Sequence, residues 1–243
     1  MNILITGCNG QLGNEMQLLE KDNPQHKYFN TDVAELDITD QQAIEDYVEK
    51  NEIDGIVNCA AYTAVDKAET NKELCTSLNT VAPAYLAAAL EKRGGWMIQI
   101  STDYVFNGKG HTPYREDDTP SPDSVYGSTK LAGELGVIFD QIGTPTYAAD
   151  LASAIMTAIN KGIVPGVYHF SNEGVISWYD FTKAIHRIAG ITSCHVRPLH
   201  TAEYPTPANR PAYSVLDKTK IKQTYGIEIP YWEESLEKCI KKL

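Results

Sequence analysis

The first thirteen residues constrain the fold more than any other part of the chain. An apolar run, Asn2–Thr6, predicts a short strand that leads directly into the glycine-rich turn GCNGQLG. In this turn Gly7, Gly10 and Gly13 fit the pattern G-x-x-G-x-x-G, a variant of the dinucleotide fingerprint. Small residues allow a tight turn whose backbone N–H groups approach a pyrophosphate. A helix predicted over Gln11–Lys21 directs its positive end at that charge.

Strand-like and helix-like segments continue to alternate along the chain. The further predicted strands are Lys27–Thr31, Gly55–Cys59, Trp96–Ile100 and Val167–Phe170, and the further helices are Gln41–Lys50, Ala82–Lys92, Val125–Leu135, Tyr147–Asn160, Trp178–Ala189 and Glu233–Leu243. This alternation implies right-handed crossovers and a mainly parallel sheet. We therefore predict an α/β fold. Residues 1–135 form a Rossmann-like, doubly wound, mainly parallel sheet, and residues 136–243 form a smaller C-terminal α/β part.

Acidic residues follow the second predicted strand. Asp32 lies 19 positions beyond Gly13, close to the spacing at which an acidic residue accepts a hydrogen bond from a cofactor ribose. The alternative for Asp32 is a solvated carboxylate at a strand end. Asp37 and Ile38 are candidates to border the adenine, and an ordinary loop acid is the alternative for Asp37. Cys8 lies at a helix N-terminus that would lower its thiol pKa, unless it is simply a small residue in a tight turn.

The catalytic candidates lie farther along the chain. Tyr126 and Lys130 are four residues apart, so on one helix they share a face. A neighbouring ammonium favours the phenolate, which lowers a tyrosine pKa towards the range useful for general acid catalysis. A surface pair is the alternative reading. Thr102 follows the strand Trp96–Ile100, and its hydroxyl is placed to hydrogen-bond a substrate carbonyl, or else to cap the loop.

Composition excludes several classes of protein. The net charge of −11 disfavours a nucleic-acid or anionic-membrane surface, because phosphates would be repelled. The chain begins without a basic, apolar leader and contains no run of 18 apolar residues, so neither a signal peptide nor a membrane span is expected. Five irregularly spaced cysteines argue against a disulfide scaffold or a zinc site, and favour a cytoplasmic location.

Several strings in the chain resemble a known family. They are Gly7–Gly13, NCAAYTAVDKAE from Asn58, STDYVF from Ser101, YGSTKLAG from Tyr126 and YPTPANRP from Tyr204. Together they resemble the dTDP-4-dehydrorhamnose reductase family, a group of extended short-chain dehydrogenases/reductases. The match covers almost the whole chain as two blocks. The alanine-rich and STDYVF strings are much more specific than the glycines.

The resemblance implies roles for individual residues. The implied cofactor contacts are Gly10, Gln11 and Leu12 on the pyrophosphate, Asp32, Asp37 and Ile38 at the adenosine, and Ala61, Tyr62 and Thr63 at a strand end beside the cofactor. Thr102 and Asp103 would face the sugar. Tyr126 would donate the proton, and Lys130 would also hold the nicotinamide ribose. Arg210 is implied to contact the substrate diphosphate, with a solvated loop arginine as the alternative. Some members bind Mg²⁺ at a dimer contact, and Glu15 matches one such position without a full ligand set.

One junction departs from the expected order of elements. The helix carrying Tyr126 and Lys130 reaches Leu135 and continues straight into Gly136, whereas a further βαβ unit takes about 30 residues. Either the protein is shortened here, or the sequence joins residues that are separated in the natural chain. The resemblance implies that the absent segment carries an aromatic residue of the sugar pocket.

These observations predict an NADPH- or NADH-dependent oxidoreductase. By the resemblance, it reduces the C4 carbonyl of dTDP-4-dehydro-6-deoxy-L-mannose to give dTDP-L-rhamnose, and a homodimer is implied. Two alternatives stay open. One is a non-catalytic nucleotide-binding regulatory subunit, which the missing segment favours. The other is a reductase or epimerase of a different nucleotide sugar.

Overall fold

The computed structural model describes residues 1–122, 124, 140–191, 196, 198–203 and 206–242. The helix predicted over Val125–Leu135, which carries Tyr126 and Lys130, lies outside the described residues. So does the junction at Leu135 and Gly136.

A parallel sheet of four strands organises the first half of the chain. The strands are β1 (Asn2–Thr6), β2 (Lys27–Thr31), β3 (Gly55–Asn58) and β4 (Trp96–Gln99). Their order is β2-β1-β3-β4, and every neighbouring pair is parallel. The strand order therefore reverses direction at β1, with β2 on one side and β3 on the other. Open α/β sheets bind ligands beyond the carboxyl ends of the strands at such a switch point.

Helices cover both faces of this sheet. They are α1 (Gln11–Glu20), α2 (Gln41–Lys50), α3 (Val65–Ala68), α4 (Lys72–Thr76), α5 (Ala82–Glu91) and α6 (Ala148–Lys161), with a π-helical segment, Ser77–Val81, leading into α5. Leu4 and Ile56 pack with α2 and α5 on one face. Ile3, Ile5 and Val57 pack with α1 and α6 on the other. Neighbouring strand residues point to opposite faces of the sheet, and helices cover both faces, so apolar side chains are buried on each side. The doubly wound parallel fold predicted from the sequence is confirmed.

The remaining elements form a smaller unit. They are β5 (Ile142–Gly143) and β6 (Ile176–Ser177), which pair antiparallel, and helices α7 (Trp178–Ile188), α8 (Thr219–Tyr225) and α9 (Trp232–Ile240). Ser177 and Asp180 form a capping box that fixes the start of α7. None of the helices in the described ranges is long and apolar enough to cross a membrane.

The strand predicted near Val167–Phe170 is wrong. These residues form no strand, and the side chains of Tyr168 and Phe170 pack against the cluster of Ile221 and Tyr225 instead. An alternating apolar pattern does not distinguish pairing with a strand from packing against a helix.

Candidate active site

The glycine turn connects β1 to α1 at the switch point of the sheet. Gly7 has φ +63°, and a Cβ there would lie 2.7 Å from the Cα and N of Ala60. A Cβ at Gly13 would lie 2.4 Å from the carbonyl oxygen of Gly7. Both positions therefore need glycine for packing within the protein. Gly10 differs, because its Cβ would meet nothing closer than 3.3 Å and the residue is exposed.

The first turn of α1 presents its backbone donors to the outside. Gly10 is the N-cap, and no side chain caps the helix there. The Asn14 amide instead binds the carbonyl oxygens of Asn9 and Gly10, each at 2.9 Å. Gln17 reaches back to the Cys8 carbonyl at 2.7 Å and holds the turn in place. Uncapped N–H groups and the helix dipole attract an anion, so this turn fits the pyrophosphate of a dinucleotide.

Asp32 closes the turn from the end of β2. Its Oδ2 accepts a hydrogen bond from the backbone N–H of Asn9 at 3.2 Å, and its Oδ1 accepts one from Val33 at 2.8 Å. The carboxylate is partly exposed beside the glycine turn, as a ribose-binding residue must be.

Asp37 and Ile38 are placed differently from each other. The Asp37 carboxylate accepts bonds from the backbone and hydroxyl of Thr39 at 2.8 and 2.7 Å, and these bonds lower its pKa. The Ile38 side chain is 6% exposed and packs in the core, so only its backbone is available to a nucleotide.

Burial raises the pKa of the Cys8 thiol, with the charge of Asp32 as a smaller cause. The lowered pKa considered for Cys8 is therefore wrong, and its alternative, a small residue in a tight turn, fits the structure. The helix end does not outweigh desolvation, because this side chain is only 7% exposed.

Ala61, Tyr62 and Thr63 follow β3 beside the glycine turn. The Tyr62 peptide is held from both sides by Asn79 in the π-helical segment. Its N–H donates to Asn79 Oδ1 at 2.9 Å, and its carbonyl accepts from Asn79 Nδ2 at 3.1 Å. Asn79 was not predicted from the sequence, although a polar residue just before an alanine-rich helix is a visible signal. Segments of π-helix occur frequently at functional sites.

Thr102 and Asp103 follow β4 at the same edge of the sheet. The Thr102 hydroxyl caps a short 3₁₀ turn, Asp103–Val105, and donates to Asp103 Oδ1 at 2.9 Å. Burial raises the pKa of the Asp103 carboxyl, although hydrogen bonds from Ser214 and Thr102 oppose that shift. Ser214 belongs to the C-terminal part, so Asp103 links the two parts of the chain next to Thr102.

Arg210 lies inside the protein. Its side chain is 3% exposed, and its Nη2 and Nη1 contact the two carboxylate oxygens of Asp66 at 2.8 and 3.2 Å. Nη1 also donates to Thr206 Oγ1 at 2.6 Å and to the Ala208 carbonyl at 3.2 Å. The guanidinium lowers the pKa of Asp66. The solvated-arginine alternative is therefore wrong. The implied contact with a substrate diphosphate stays a prediction, and it requires Arg210 to leave Asp66.

A magnesium ion does not fit Glu15 in this structure. Both Glu15 oxygens are bound by the Lys242 ammonium, at 2.8 and 3.0 Å. Within the described parts of the chain, no group of three or more His, Cys, Asp or Glu side chains forms a metal-binding cluster.

The structure brings most of the predicted residues to one edge. The glycine turn, Asp32, Ala61–Thr63 and Thr102 all follow strands of the same parallel sheet at their carboxyl ends. Such an arrangement defines a Rossmann-type α/β protein, a class in which a dinucleotide binds at the switch point of the sheet.

Comparison with known proteins identifies the family. The family model described as RmlD substrate binding domain matches residues 1–138 and 134–243. A dTDP-4-dehydrorhamnose reductase of Aggregatibacter actinomycetemcomitans is 35% identical, with 96% of each chain covered. The chain belongs to the dTDP-4-dehydrorhamnose reductase family.

Solved structures agree with this assignment. A dTDP-4-dehydrorhamnose reductase of Clostridium acetobutylicum has a TM-score of 0.94 and 37% identity, covering 100% of this chain and 99% of that one. The Bacillus anthracis reductase in complex with NADP has a TM-score of 0.91 and 32% identity, with the same coverage. The alignment with the Aggregatibacter protein runs over 283 positions, more than the 243 residues of this chain. Part of that relative therefore has no counterpart here.

Proposed function

We propose that this protein reduces the C4 carbonyl of dTDP-4-dehydro-6-deoxy-L-mannose to dTDP-L-rhamnose, with NADPH or NADH as reductant. The observation that carries the proposal is the uncapped glycine turn at the switch point of the sheet, beside Thr102, in a chain of this reductase family. The uncapped glycine turn supports binding of a nicotinamide dinucleotide. Thr102 supplies a hydroxyl at the same edge of the sheet for a substrate carbonyl.

Each residue has a distinct role in this proposal. When bound, the reduced nicotinamide supplies the hydride. Tyr126 donates a proton to the C4 oxygen, and the Lys130 ammonium stabilises the phenolate that is left. Thr102 orients the carbonyl by turning its hydroxyl from Asp103 to the substrate oxygen.

The cofactor contacts follow from the same edge of the sheet. The backbone of Gly10, Gln11 and Leu12 binds the pyrophosphate, and Asp32 binds the adenosine ribose. Asp37 and Ile38 border the adenine through the loop after β2, and Ala61, Tyr62 and Thr63 lie along the nicotinamide half. Asp32 would repel a 2′-phosphate, which favours NADH. The Bacillus anthracis relative was solved with NADP, which favours NADPH.

The direct test is turnover of the purified protein. We expect dTDP-4-dehydrorhamnose to cause loss of NADPH or NADH absorbance at 340 nm. Tyr126→Phe should retain cofactor binding and lose at least about 100-fold in kcat, because general acid catalysis contributes about that much. Tyr231→Phe is the matched control, since Tyr231 is exposed and its backbone pairs with Glu173 in the C-terminal part of the chain. Equal turnover by Tyr126→Phe and the parent would refute the assigned role.

One alternative function has support of its own. The relatives contain residues with no counterpart in this chain, which favours a non-catalytic nucleotide-binding subunit. Cofactor binding without turnover of any nucleotide sugar would support that alternative. Turnover of a different nucleotide sugar alone would indicate another reductase or an epimerase. A cytoplasmic location and a homodimer remain part of the proposal.

A further inference from the structure

Three polar side chains form a hydrogen-bonded row across the carboxyl ends of β1, β3 and β4. The Thr6 hydroxyl donates to Asn58 Oδ1 at 2.5 Å, and Asn58 Nδ2 donates to Gln99 Oε1 at 2.7 Å. Gln99 Nε2 then donates to the carbonyl of Ile100 at 2.9 Å. Thr6 and Asn58 are 1% and 0% exposed, and each directly follows buried aliphatic residues of its strand. We call Thr6, Asn58 and Gln99 the polar row.

The polar row has a fixed direction. Asn58 Oδ1 accepts both the Thr6 hydroxyl and the backbone N–H of Ala60, the latter at 3.3 Å. The amide of Asn58 must therefore direct its nitrogen towards Gln99. Gln99 in turn presents its oxygen to Asn58 and its nitrogen to the Ile100 carbonyl. Each amide orientation is set by its neighbours, because an amide has an acceptor at one corner and donors at the other.

The polar row contacts both halves of the candidate site, through Asn58 on one side and Gln99 on the other. Ala60, which donates to Asn58, is also the residue against which Gly7 packs with no room for a Cβ. Ile100, which accepts from Gln99, lies two residues before Thr102. The row thus joins the backbone under the glycine turn to the backbone that carries the proposed carbonyl-binding hydroxyl.

We infer that Asn58 and Gln99 are positioning residues that hold Thr102 in register with the cofactor turn. This inference rests on the proposed function for its kinetic consequences. The competing explanation is that the row merely satisfies a buried asparagine and stabilises the sheet. The two explanations differ in what a variant at each end of the row does.

Gln99→Glu is the sharpest variant. It keeps an acceptor for Asn58 Nδ2 and removes the donor to the Ile100 carbonyl. We expect kcat to fall about 10- to 100-fold, because small misplacements of a reacting group have effects of that size. The Kd for the cofactor should stay within about twofold, since a change below 0.5 kcal/mol is about that ratio. Gln99→Met, which adds no charge, should lower kcat at least as much.

Thr6→Val tests the end of the polar row that adjoins the glycine turn. It should weaken cofactor binding about fivefold, the effect of losing one hydrogen bond, while Thr6→Ser restores it. Gln223→Glu is the matched control for Gln99→Glu, because Gln223 is exposed on α8 and its substitution adds the same charge. It should change neither constant.

Hydrogen exchange of the free protein tests the polar row without relying on activity. Gln99→Glu should speed exchange of the amides at 100–103 and leave those at 7–13 unchanged, and Thr6→Val should do the reverse. A fall in kcat and cofactor affinity together, in proportion to lost thermal stability, would overturn the inference. So would unchanged kinetics and exchange in Gln99→Glu. Failure of the parent to reduce the sugar would refute the proposed function alone, and the exchange pattern would still decide the inference.

Discussion

The guanidinium of Arg210 and the carboxylate of Asp66 form a two-bond ion pair across 144 residues of sequence. The pair fastens the loop after Thr206 to helix α3, directly after the predicted cofactor residues Ala61–Thr63. Ala208, in the same loop, is 2% exposed and packs against the cluster of Val65 and Ala68. A segment of the C-terminal part is thereby held against the cofactor side of the molecule.

Removal of this ion pair should destabilise the protein. Arg210→Met removes the guanidinium bonds to Asp66, Thr206 and the Ala208 carbonyl. Asp66 keeps the bond from the Ala208 N–H, and the Ala208 carbonyl keeps the bond from the Thr206 hydroxyl. We expect the free energy of unfolding to fall by about 1–3 kcal/mol, reduced from the value of a fully buried pair because Asp66 is partly exposed. Urea denaturation measures this. The control is Arg187→Met, because the Arg187 side chain is 63% exposed where it pairs with Glu233, and its loss should cost less than about 1 kcal/mol. Equal losses in the two variants would contradict a structural role for Arg210.

Substitutions at two glycines of the turn should affect stability and cofactor binding differently. Gly13→Ala places a Cβ 2.4 Å from the Gly7 carbonyl, so it should cost about 2–3 kcal/mol of stability. Gly10→Ala has space inside the protein and should cost less than about 1 kcal/mol. A methyl group at this exposed N-cap position should crowd the proposed pyrophosphate site, so the Kd for the cofactor should rise about tenfold or more. Thermal melts with and without NADPH measure both effects. Unimpaired cofactor binding by a folded Gly10→Ala variant would contradict the proposed pyrophosphate site.

Asp103 should make stability depend on pH in an unusual direction. Because burial raises its pKa in the folded protein, the folded state binds more protons than the unfolded state above the unfolded pKa. The contribution of Asp103 is therefore most favourable below its unfolded pKa, about 3.9, and is lost as pH rises through the folded pKa. The stability of Asp103→Asn relative to the parent should rise between pH 4 and pH 8, as urea denaturation will show.

Asp117, an exposed residue, serves as a control for Asp103 because its pKa is shifted in the opposite direction. Arg115 lowers the pKa of Asp117, so the contribution of Asp117 is present above its unfolded pKa and is lost as pH falls. Asp117→Asn should therefore shift the relative stability in the other direction. The same trend in both variants would show that Asp103 is not the source.

The junction at Leu135 and Gly136 can be decided by mass. The 243 residues account for 26.9 kDa. A larger intact mass for the protein purified from its natural source would show residues beyond these 243, as expected if the sequence joins residues that are separated in the natural chain. In that case it should bind and reduce the sugar as its relatives do. A mass equal to 26.9 kDa means true shortening, for which we expect cofactor binding with weak sugar binding.

Local pattern was enough to predict much of the fold. The strand at Asn2–Thr6 and the helix at Gln41–Lys50 were predicted to the residue, since hydrophobic period and start and stop signals are properties of neighbouring residues. The strand near Val167–Phe170 failed because its side chains pack on a distant helix. Only the tertiary fold reveals such a contact.

The sequence by itself determined the glycine turn, the alternation of strands with longer helices in residues 1–100, and the family, because these depend on short strings and on spacing along the chain. The tertiary structure decided which partners the side chains have. In the folded protein Arg210 pairs with Asp66, Glu15 pairs with Lys242, and Asn58 is hydrogen-bonded to Thr6 and Gln99. These pairs join residues tens to hundreds of positions apart. Their hydrogen bonds and desolvation depend on distances that no local pattern encodes.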